Sequence, residues 1–438
     1  MFETFKPQDA QTWNQLLSQE LKGKNPSLLN GKWETCIEYQ PFYLQDSSIK
    51  TPAEPIFFPD YQVGSFYTAT DLLTYPQLLN YALENDVQFV GIYINDPDNL
   101  FQLVESTSPL SNQYPRVLFY YSVPSLEIFE NITQILESTE SFSTPPVTLY
   151  EWLSVFFEKH TSNSIKNWYE LKTTLTQKNF NCAEGIDLYA FDSYGAYSYQ
   201  EIGFFQYYLY HFLYPLKSIP KRVYITISLS LNLNLQIAKL RAIRRVWNQF
   251  LSTNQIPSTE LYIIGKTSKF YLSQLLEENN LIRNTISTLA GILGGCNTIA
   301  VTPHTFKKDK NIIHADRWAR NIQHLLIHES GLTKVKDPLA GSYFIENLTQ
   351  QIIENAEKWY KQLENKGGVF TETGLEFITQ ELLNAKQHRV ELAISKELPI
   401  IGSNLYRMPQ DPPLKELTHT EILMMLPYIQ RIAELFEQ

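Results

Sequence analysis

Short runs of β-branched and aromatic residues alternate with longer helical patterns along most of this chain. The runs begin at about residue 88 and recur roughly every thirty to forty residues. They are QFVGIYIN at 88, RVLFYYS at 116, PPVTLY at 145, IDLYAF at 186, RVYITISLS at 222, ELYIIGKT at 260 and NTIAVTP at 297. Strands separated by one helix each are typical of parallel βα units. The pattern therefore predicts an α/β fold, a (β/α)8 TIM-type barrel, with GSFYT at 64 as the eighth strand and a doubly wound open sheet as the alternative.

The rest of the chain is organised around this barrel. Residues 1–55 are predicted to be an extended N-terminal arm, too irregular to fold alone, that wraps other structure. Residues 56–396 are assigned to the barrel with its closing helices, which have helical apolar spacing at 233–251, 347–363 and 377–394. Residues 397–438 read as a proline-containing linker and a short terminal helix with Pro427 inside it.

Composition excludes several classes of protein. The 438 residues are 43% hydrophobic and carry a net charge of -10, with no basic stripe to neutralise nucleic acid or an anionic membrane. Cys36, Cys182 and Cys296 are widely spaced and odd in number, so neither a disulfide framework nor a CxxC metal site is expected. The first residues lack a signal peptide, and no apolar run reaches about 18 residues. We therefore expect a cytoplasmic protein.

In a parallel barrel, ligands bind where the strands end, so the polar residues there are candidate site residues. The set is Asp96, Asp98, Ser122, Asp192, Ser193, Asn232, Asn234, Lys266 and His304. Only His304 ordinarily titrates near neutral pH, and a loop position after Pro303 is the simpler interpretation. An unrelated barrel hydrolase or lyase using Asp192 and His304 stays open as a hypothesis.

Two other patterns are weaker candidates. His324 and His328 share a helix face at the spacing of a metal pair, but Glu329 follows the second histidine and no third ligand is in view. The pairs Gly294-Gly295 and Gly367-Gly368 lack phosphate-loop signatures and are predicted to be turns or helix ends.

The segments 239–245 and 337–349 can each be interpreted in two ways. The first carries Lys239, Arg241, Arg244 and Arg245 on a helix with a full apolar face. Two interpretations are equally open: a solvated flank, or a surface that grips carboxylates on a partner. The second, DPLAGSYFIENLT, has a turn opener followed by helical spacing, which favours the start of a helix over a catalytic loop.

Several segments together resemble the cobalamin-dependent acyl-CoA mutases, the methylmalonyl-CoA mutases above all. They stand in the family's order: IAKLRAIRRVW (237–247), GGCNTIAVTPHTF (294–306), ADRWARNIQHLLIHESGL (315–332), DPLAGSYFIENLT (337–349), Gly367-Gly368 and IIGSNLY (400–406). YQPFYLQD (39–46) is similar to a segment of the family's N-terminal arm. The resemblance implies a (β/α)8 barrel, and in catalytic members a thioester substrate threaded through its axis and a separate corrin-binding domain.

The resemblance also implies a loss of chemistry. In YAFDSYGAYSYQEIGFF (189–205), Ala190 stands where catalytic members have an active-site histidine, after a retained Tyr189. A second family histidine is Ala300 here, and the cobalt-ligand motif DxHxxG is absent, with too few residues after Tyr406 for a corrin-binding domain. We therefore expect no catalytic, cofactor-binding or metal-binding residue in this chain.

This pattern resembles the small, or beta, subunit of two-subunit methylmalonyl-CoA mutases. The resemblance implies a heterodimer in which a catalytic large subunit holds adenosylcobalamin and isomerises methylmalonyl-CoA and succinyl-CoA. Bulky side chains could then fill the barrel axis, because no substrate tunnel is needed. The alternative is an active acyl-CoA mutase barrel that works with a separate cobalamin-binding chain.

Overall fold

The computed structural model describes residues 9–43, 58–94, 117–121, 147–149, 184–216, 219, 221–305, 312–409, 411 and 419–437. Four residues considered in the sequence analysis lie outside these ranges. They are Asp96, Asp98, Ser122 and Cys182. Within the described ranges, no helix is both long enough and apolar enough to cross a membrane.

Eight parallel strands form the main sheet. Their bounds are β3 Gln62–Thr68, β4 Phe89–Ile94, β5 Val117–Tyr121, β6 Val147–Leu149, β7 Glu184–Asp187, β8 Arg222–Leu229, β9 Glu260–Thr267 and β10 Thr298–Ala300. The hydrogen-bonded order is β6-β5-β4-β3-β10-β9-β8-β7, so the first strand of the sheet pairs with the last, and β6 lies beside β7. This is the circular order of a (β/α)8 barrel and differs from the order of a doubly wound sheet. The prediction of a strand at 64 is confirmed by β3.

Helices cover the outside of the sheet. Their bounds are α1 Ala10–Glu20, α2 Ala69–Thr74, α3 Gln77–Glu84, α4 Tyr189–Ser193, α5 Ser198–Tyr208, α6 Leu233–Thr253, α7 Asn279–Gly294, α8 Ile312–His324, α9 Tyr343–Asn365, α10 Glu372–Ile394 and α11 His419–Met425. On β8, Val223, Ile225 and Ile227 are fully buried in the main core, to which helices α5, α6 and α9 also contribute. Because strand side chains alternate, Tyr224 and Thr226 point to the opposite side, into the barrel.

Some predicted boundaries are wrong. The run IDLYAF is not one strand, because β7 ends at Asp187 and the chain turns at once into α4. The Asp187 carboxylate accepts a hydrogen bond from the Tyr189 N–H (2.8 Å), a local turn that competes with an extended strand. Helix α11 ends at Met425, so Pro427 lies beyond the helix and not inside it.

The N-terminal arm contains regular structure that the sequence did not predict. Besides α1 it forms a hairpin of β1 Gly31–Trp33 and β2 Ile37–Tyr39. The hairpin packs on the chain's own helix α9: Gln351 accepts from the Glu38 N–H and donates to the Glu38 carbonyl, both at 2.8 Å. The described part of the arm therefore wraps, at least here, its own barrel.

The C-terminal segment packs at the carboxyl end of strand β9. The Ile432 N–H donates to the Phe270 carbonyl (2.9 Å), and Arg431 donates to the Leu272 carbonyl (3.0 Å). Apolar residues of α10, α11 and the last turn form a second core with Phe270 and Tyr271. The segment therefore belongs to the barrel's structural frame.

Candidate functional site at the barrel mouth

The carboxyl ends of β7, β9 and β10 bring three side chains to one rim of the barrel. Asp187 ends β7, Lys266 lies next to the end of β9, and Ala300 ends β10 as the register partner of Lys266. Alternation places all three on the interior side, because Ile186, Ile263 and Ile299 pack in the outer core. This rim, with Tyr189 beside it, is the barrel mouth, where parallel barrels bind ligands.

Lys266 and Tyr189 occupy the mouth together. The Lys266 ammonium lies 4.2 Å from the centroid of the Tyr189 ring, a cation–π contact. Burial raises the pKa of the Asp187 carboxyl to about 6, and the nearby Lys266 charge limits the rise. Burial also raises the pKa of the Tyr189 hydroxyl, so the phenol stays protonated. Of these three side chains, the Asp187 carboxyl is therefore the one that can exchange a proton near neutral pH.

The raised pKa of Asp187 has a consequence for stability. The folded protein holds a proton that the unfolded chain, with an aspartate pKa of about 3.9, has already released. Stability from this group is therefore complete below about pH 4 and is lost as the pH rises through about 6. We expect Asp187→Asn to remove about 1 kcal/mol of pH-dependent unfolding free energy, measured by urea denaturation between about pH 4 and about pH 8.

The matched control is Asp60→Asn. Asp60 is fully exposed, and its ion pair with Lys336 lowers its pKa instead of raising it. The control should leave the wild-type pH profile almost unchanged. If Asp187→Asn left the pH dependence of the unfolding free energy unchanged, the raised pKa of Asp187 would be contradicted.

Ala190 lies directly beside this rim, in the first turn of α4. It is half-buried at the edge of the main core. Its methyl group can neither donate a proton nor donate a hydrogen bond to a carbonyl oxygen, which is what general acid catalysis requires. Ala300 is buried on β10 and is equally inert.

Below the mouth, four aromatic rings meet in the barrel interior. We call them the aromatic floor: Phe66 of β3, Phe89 of β4, Tyr224 of β8 and Tyr262 of β9. Ring centroids are 5.6 Å apart for Phe66 and Phe89, 5.4 Å for Phe89 and Tyr262, and 5.2 Å for Tyr224 and Tyr262. These separations are those of rings in direct contact. The floor therefore occupies the part of the interior that lies between these four strands.

The floor is fixed in place from two sides. The Tyr262 hydroxyl donates to Gln62 Oε1 (2.6 Å), and the Arg222 guanidinium lies 5.4 Å from the Tyr262 ring centroid. A Cβ at Gly91 would lie 2.1 Å from Cε1 of Phe66, so only glycine leaves room for this ring. The local sequence is thus adapted to a filled interior.

Asp192, one of the sequence candidates, is a structural residue. It is buried and accepts a hydrogen bond of 2.5 Å from the Ser268 hydroxyl. Its pKa is raised, chiefly by burial. The His304 ring contacts the Trp318 ring at a tilt, with centroids 4.9 Å apart, and partial burial lowers the pKa of His304. The described contacts bring these two residues to no common partner, so they give no support to a hydrolase site built on them.

Asn232, the histidine pair and the two glycine pairs have local roles. The Asn232 side chain accepts from the Leu235 N–H (3.2 Å) and caps helix α6. His324 and His328 stack at 5.7 Å, and no group of three or more potential metal ligands exists among the described residues. Gly295 ends helix α7 with a φ of 86°, and Gly367 follows α9 with a φ of 87°, so both glycine pairs are helix ends as predicted.

The basic residues of α6 are not a solvated flank. Lys239 is buried and donates to Glu201 Oε2 (2.6 Å) and to the Ser228 carbonyl (2.8 Å). The Ser228 hydroxyl donates to the other Glu201 oxygen (2.8 Å). Burial raises the pKa of the Glu201 carboxyl to about 7, against the attraction of Lys239. Of the two interpretations left open for these residues, the solvated flank is wrong, because each cation meets an acceptor of its own chain.

The motif DPLAGSYFIENLT supplies the other acceptors. Arg241 donates to the Asp337 carboxylate and to Glu346 Oε1 (2.5 Å), and Arg245 donates to the second Glu346 oxygen. Arg244 donates to the Gly295 carbonyl and to Asn297 Oδ1 (3.2 Å). We call Arg241, Arg245, Asp337 and Glu346 the α6–α9 clasp. The motif therefore begins helix α9, at Tyr343, and ties it to α6.

Comparison with known proteins agrees with this framework. The family model described as methylmalonyl-CoA mutase matches residues 215–436. The chain belongs to the methylmalonyl-CoA mutase family. Similar proteins include "Methylmalonyl-CoA mutase" of Rhizobium meliloti (strain 1021), 30% identical over 215 residues, which is 47% of this chain and 30% of that protein.

Two further relatives are similar over the same extent. "Methylmalonyl-CoA mutase" of Escherichia coli (strain K12) is 33% identical over 192 residues, 42% of this chain and 26% of that protein. "Methylmalonyl-CoA mutase small subunit" of Porphyromonas gingivalis is 30% identical over 200 residues, 44% of this chain and 32% of that protein. The matches thus span less than a third of each curated relative.

The residues of this chain that match the methylmalonyl-CoA mutase family model cover part of the barrel and its closing helices. They include the whole α6–α9 clasp and Lys239, whereas Tyr189 and Ala190 precede them. Sequence reasoning missed Asp187 as a mouth residue because it read IDLYAF as one strand. A charged residue inside an apolar run was the available signal. It also missed the contact between Glu34 and Arg389, whose charged groups lie 3.5 Å apart, because residues so distant in sequence leave no local signal.

Proposed function

We propose that this chain is the non-catalytic small subunit of a heterodimeric methylmalonyl-CoA mutase. The observation that carries the proposal is the aromatic floor. A CoA thioester that entered the barrel interior between β3, β4, β8 and β9 would meet Phe89, Tyr262 and Tyr224, whose rings are in contact in that order. The filled interior favours a structural role for this barrel, and the P. gingivalis small subunit among its relatives is in keeping with that role.

The barrel mouth adds to the argument. In a mutase of this family, adenosylcobalamin supplies the radical that starts the rearrangement of the carbon skeleton. At the rim, Ala190 and Ala300 offer only methyl groups, which can neither donate a proton to a thioester carbonyl nor form a hydrogen bond with that group. We therefore assign adenosylcobalamin and the isomerisation of methylmalonyl-CoA and succinyl-CoA to a catalytic large subunit.

The arm offers a surface for such a partner. Helix α1 exposes Trp13 (37%) and Leu16 (52%), and Leu28 (68%) is exposed in the turn that follows. The Trp13 ring contacts the ring of exposed Phe42 at a tilt, with centroids 4.7 Å apart. Exposed aromatic and aliphatic side chains grouped in this way mark protein interaction sites.

Co-expression with a large methylmalonyl-CoA mutase subunit tests the proposal. We expect the two chains to elute as one heterodimer from gel filtration at micromolar concentration. The variant Trp13→Ser/Leu16→Ser should weaken the heterodimer by about tenfold or more, because buried apolar side chains of this size contribute about 1.5–3 kcal/mol each.

The matched control is Gln11→Ser/Gln15→Ser on the same helix. Both glutamines are exposed polar residues, and their loss should leave the heterodimer intact. Separate elution of the wild-type chains would count against the subunit role. Activity of this chain with a free cobalamin-binding chain, and no large subunit, would favour the alternative of an active mutase barrel.

A further inference from the structure

The hairpin of the N-terminal arm inserts a carboxylate into the barrel wall. Glu34 lies at its turn, and the side chain is only 9% exposed. Its oxygens accept from the Ser198 N–H (2.8 Å) and from the Ser198 hydroxyl (2.9 Å), and the Arg389 guanidinium is 3.5 Å away. Ser198 is the first residue of helix α5, so the carboxylate also meets the positive end of that helix.

The turn is built to present this side chain. Glu34 and Thr35 have φ values of 51° and 62°, a left-handed conformation that non-glycine residues seldom adopt. Such a conformation costs about 1–2 kcal/mol per residue and persists only where the surroundings hold it. The contacts of Glu34 with Ser198 and Arg389 provide that hold. The hairpin therefore docks through one buried ionic contact as well as through its edge on α9.

Charge balance changes when Glu34 docks. Behind the contact lie two further carboxylates, Asp192 and Glu201, and one further cation, Lys239. Without Glu34, two carboxylates face the two cations Lys239 and Arg389. With Glu34, three carboxylates face the same two cations, which leaves one uncompensated negative charge in a buried cluster. Buried excess charge is costly and is relieved by taking up a proton.

We propose that Glu34, held by Ser198 and Arg389, is a carboxylate latch whose docking takes up one proton, so that the hairpin releases from the barrel as the pH rises. The proton belongs to the whole cluster of carboxylates, since their titrations are coupled. Burial raises the pKa of Glu34, Asp192 and Glu201, the last to about 7. Undocked Glu34 has the ordinary glutamate pKa of 4.5. Docking therefore weakens as the pH rises from about 4.5 through about 7.

Other titratable groups face the latch. They are Lys32 and Cys36 of the hairpin, Tyr197 and Tyr199 of the α5 end, Tyr271 after β9, Lys358 of α9, and Glu381 and His388 of α10. Burial raises the pKa of the Cys36 thiol to about 11 and raises those of Tyr197, Tyr199 and Tyr271, so all four are neutral in this window. His388, 2.6 Å from the Tyr197 hydroxyl, is the group that must be separated experimentally.

Amide hydrogen exchange of residues 31–39 in the full chain tests the latch. Protection is compared at about pH 5.5 and about pH 8, after correction for the intrinsic exchange rate. We expect protection to fall by about tenfold at the higher pH, because one linked proton changes an equilibrium by up to tenfold per pH unit. Glu34→Gln and Asp192→Asn should each flatten this dependence, since each removes one carboxylate from the cluster.

Two controls make the result decisive. Glu38→Gln, on an exposed part of the same hairpin, should keep the full pH dependence. His388→Gln should also keep it. The proposal is overturned if wild-type protection is equal at the two pH values, if both Glu34→Gln and Asp192→Asn retain the dependence, or if His388→Gln alone removes it.

Discussion

Replacing Lys239 with alanine is expected to cost about 3–5 kcal/mol of unfolding free energy, because it leaves the Glu201 carboxylate buried without its cation. The pair is 2.6 Å apart, and both side chains are 2% exposed. Urea denaturation of the purified chain gives the measurement. At neutral pH part of the loss is relieved by protonation of Glu201, whose pKa is already about 7, so the deficit should grow as the pH rises.

Two further variants distinguish a buried charge from lost packing. Lys239→Met/Glu201→Gln removes both charges at similar volume and should recover more than half of the deficit, since an apolar replacement of a buried pair is often neutral. Lys361→Ala breaks the exposed pair with Glu357 and should cost less than about 0.5 kcal/mol. If Lys239→Ala were as mild as Lys361→Ala, the role given to this pair would be wrong.

Arg241→Ala is the second change with a large expected effect, also about 3–5 kcal/mol. Arg241 is 2% exposed and holds Asp337 and Glu346 at once, so its loss opens the α6–α9 clasp. Arg241→Lys should restore little, because an ammonium cannot bond two carboxylates with the planar fork of a guanidinium. Hydrogen exchange should show the loop 331–342 losing protection before the barrel strands do.

The control for this prediction is Arg222→Ala. Arg222 pairs with Glu260 at a half-exposed site, and its loss should cost about 1 kcal/mol or less. Equal destabilisation by Arg222→Ala and Arg241→Ala would show that the clasp contributes no more than a surface pair.

The strands of the barrel were predictable from the sequence because each is a short apolar run with helical spacing on both sides. The circular strand order was not, since periodicity carries no information about closure. The prediction for DPLAGSYFIENLT as the start of a helix is confirmed, and α9 begins at Tyr343. The sequence did not show what holds this segment in place, because Asp337 and Glu346 are bound by arginines about 100 residues earlier in the chain.

The sequence allowed aromatic side chains to be expected in the barrel interior, but not which ones would be in contact. A count of 27 tyrosines and 25 phenylalanines permitted a filled axis, but did not say which rings would meet. Phe66, Phe89 and Tyr262 come from three strands, and their contact depends on register. The role of the basic residues of α6 was left open for a related reason. The sequence does not show whether a cation beside an apolar face is solvated or has a buried partner.

Titration of methylmalonyl-CoA into the isolated chain, measured by calorimetry, tests most directly whether the barrel interior is filled. We expect no saturable binding up to about millimolar thioester, with or without adenosylcobalamin, because the aromatic floor takes up interior space that the pantetheine arm would need. One-to-one binding at micromolar concentration, or conversion of the bound thioester to succinyl-CoA, would contradict the account.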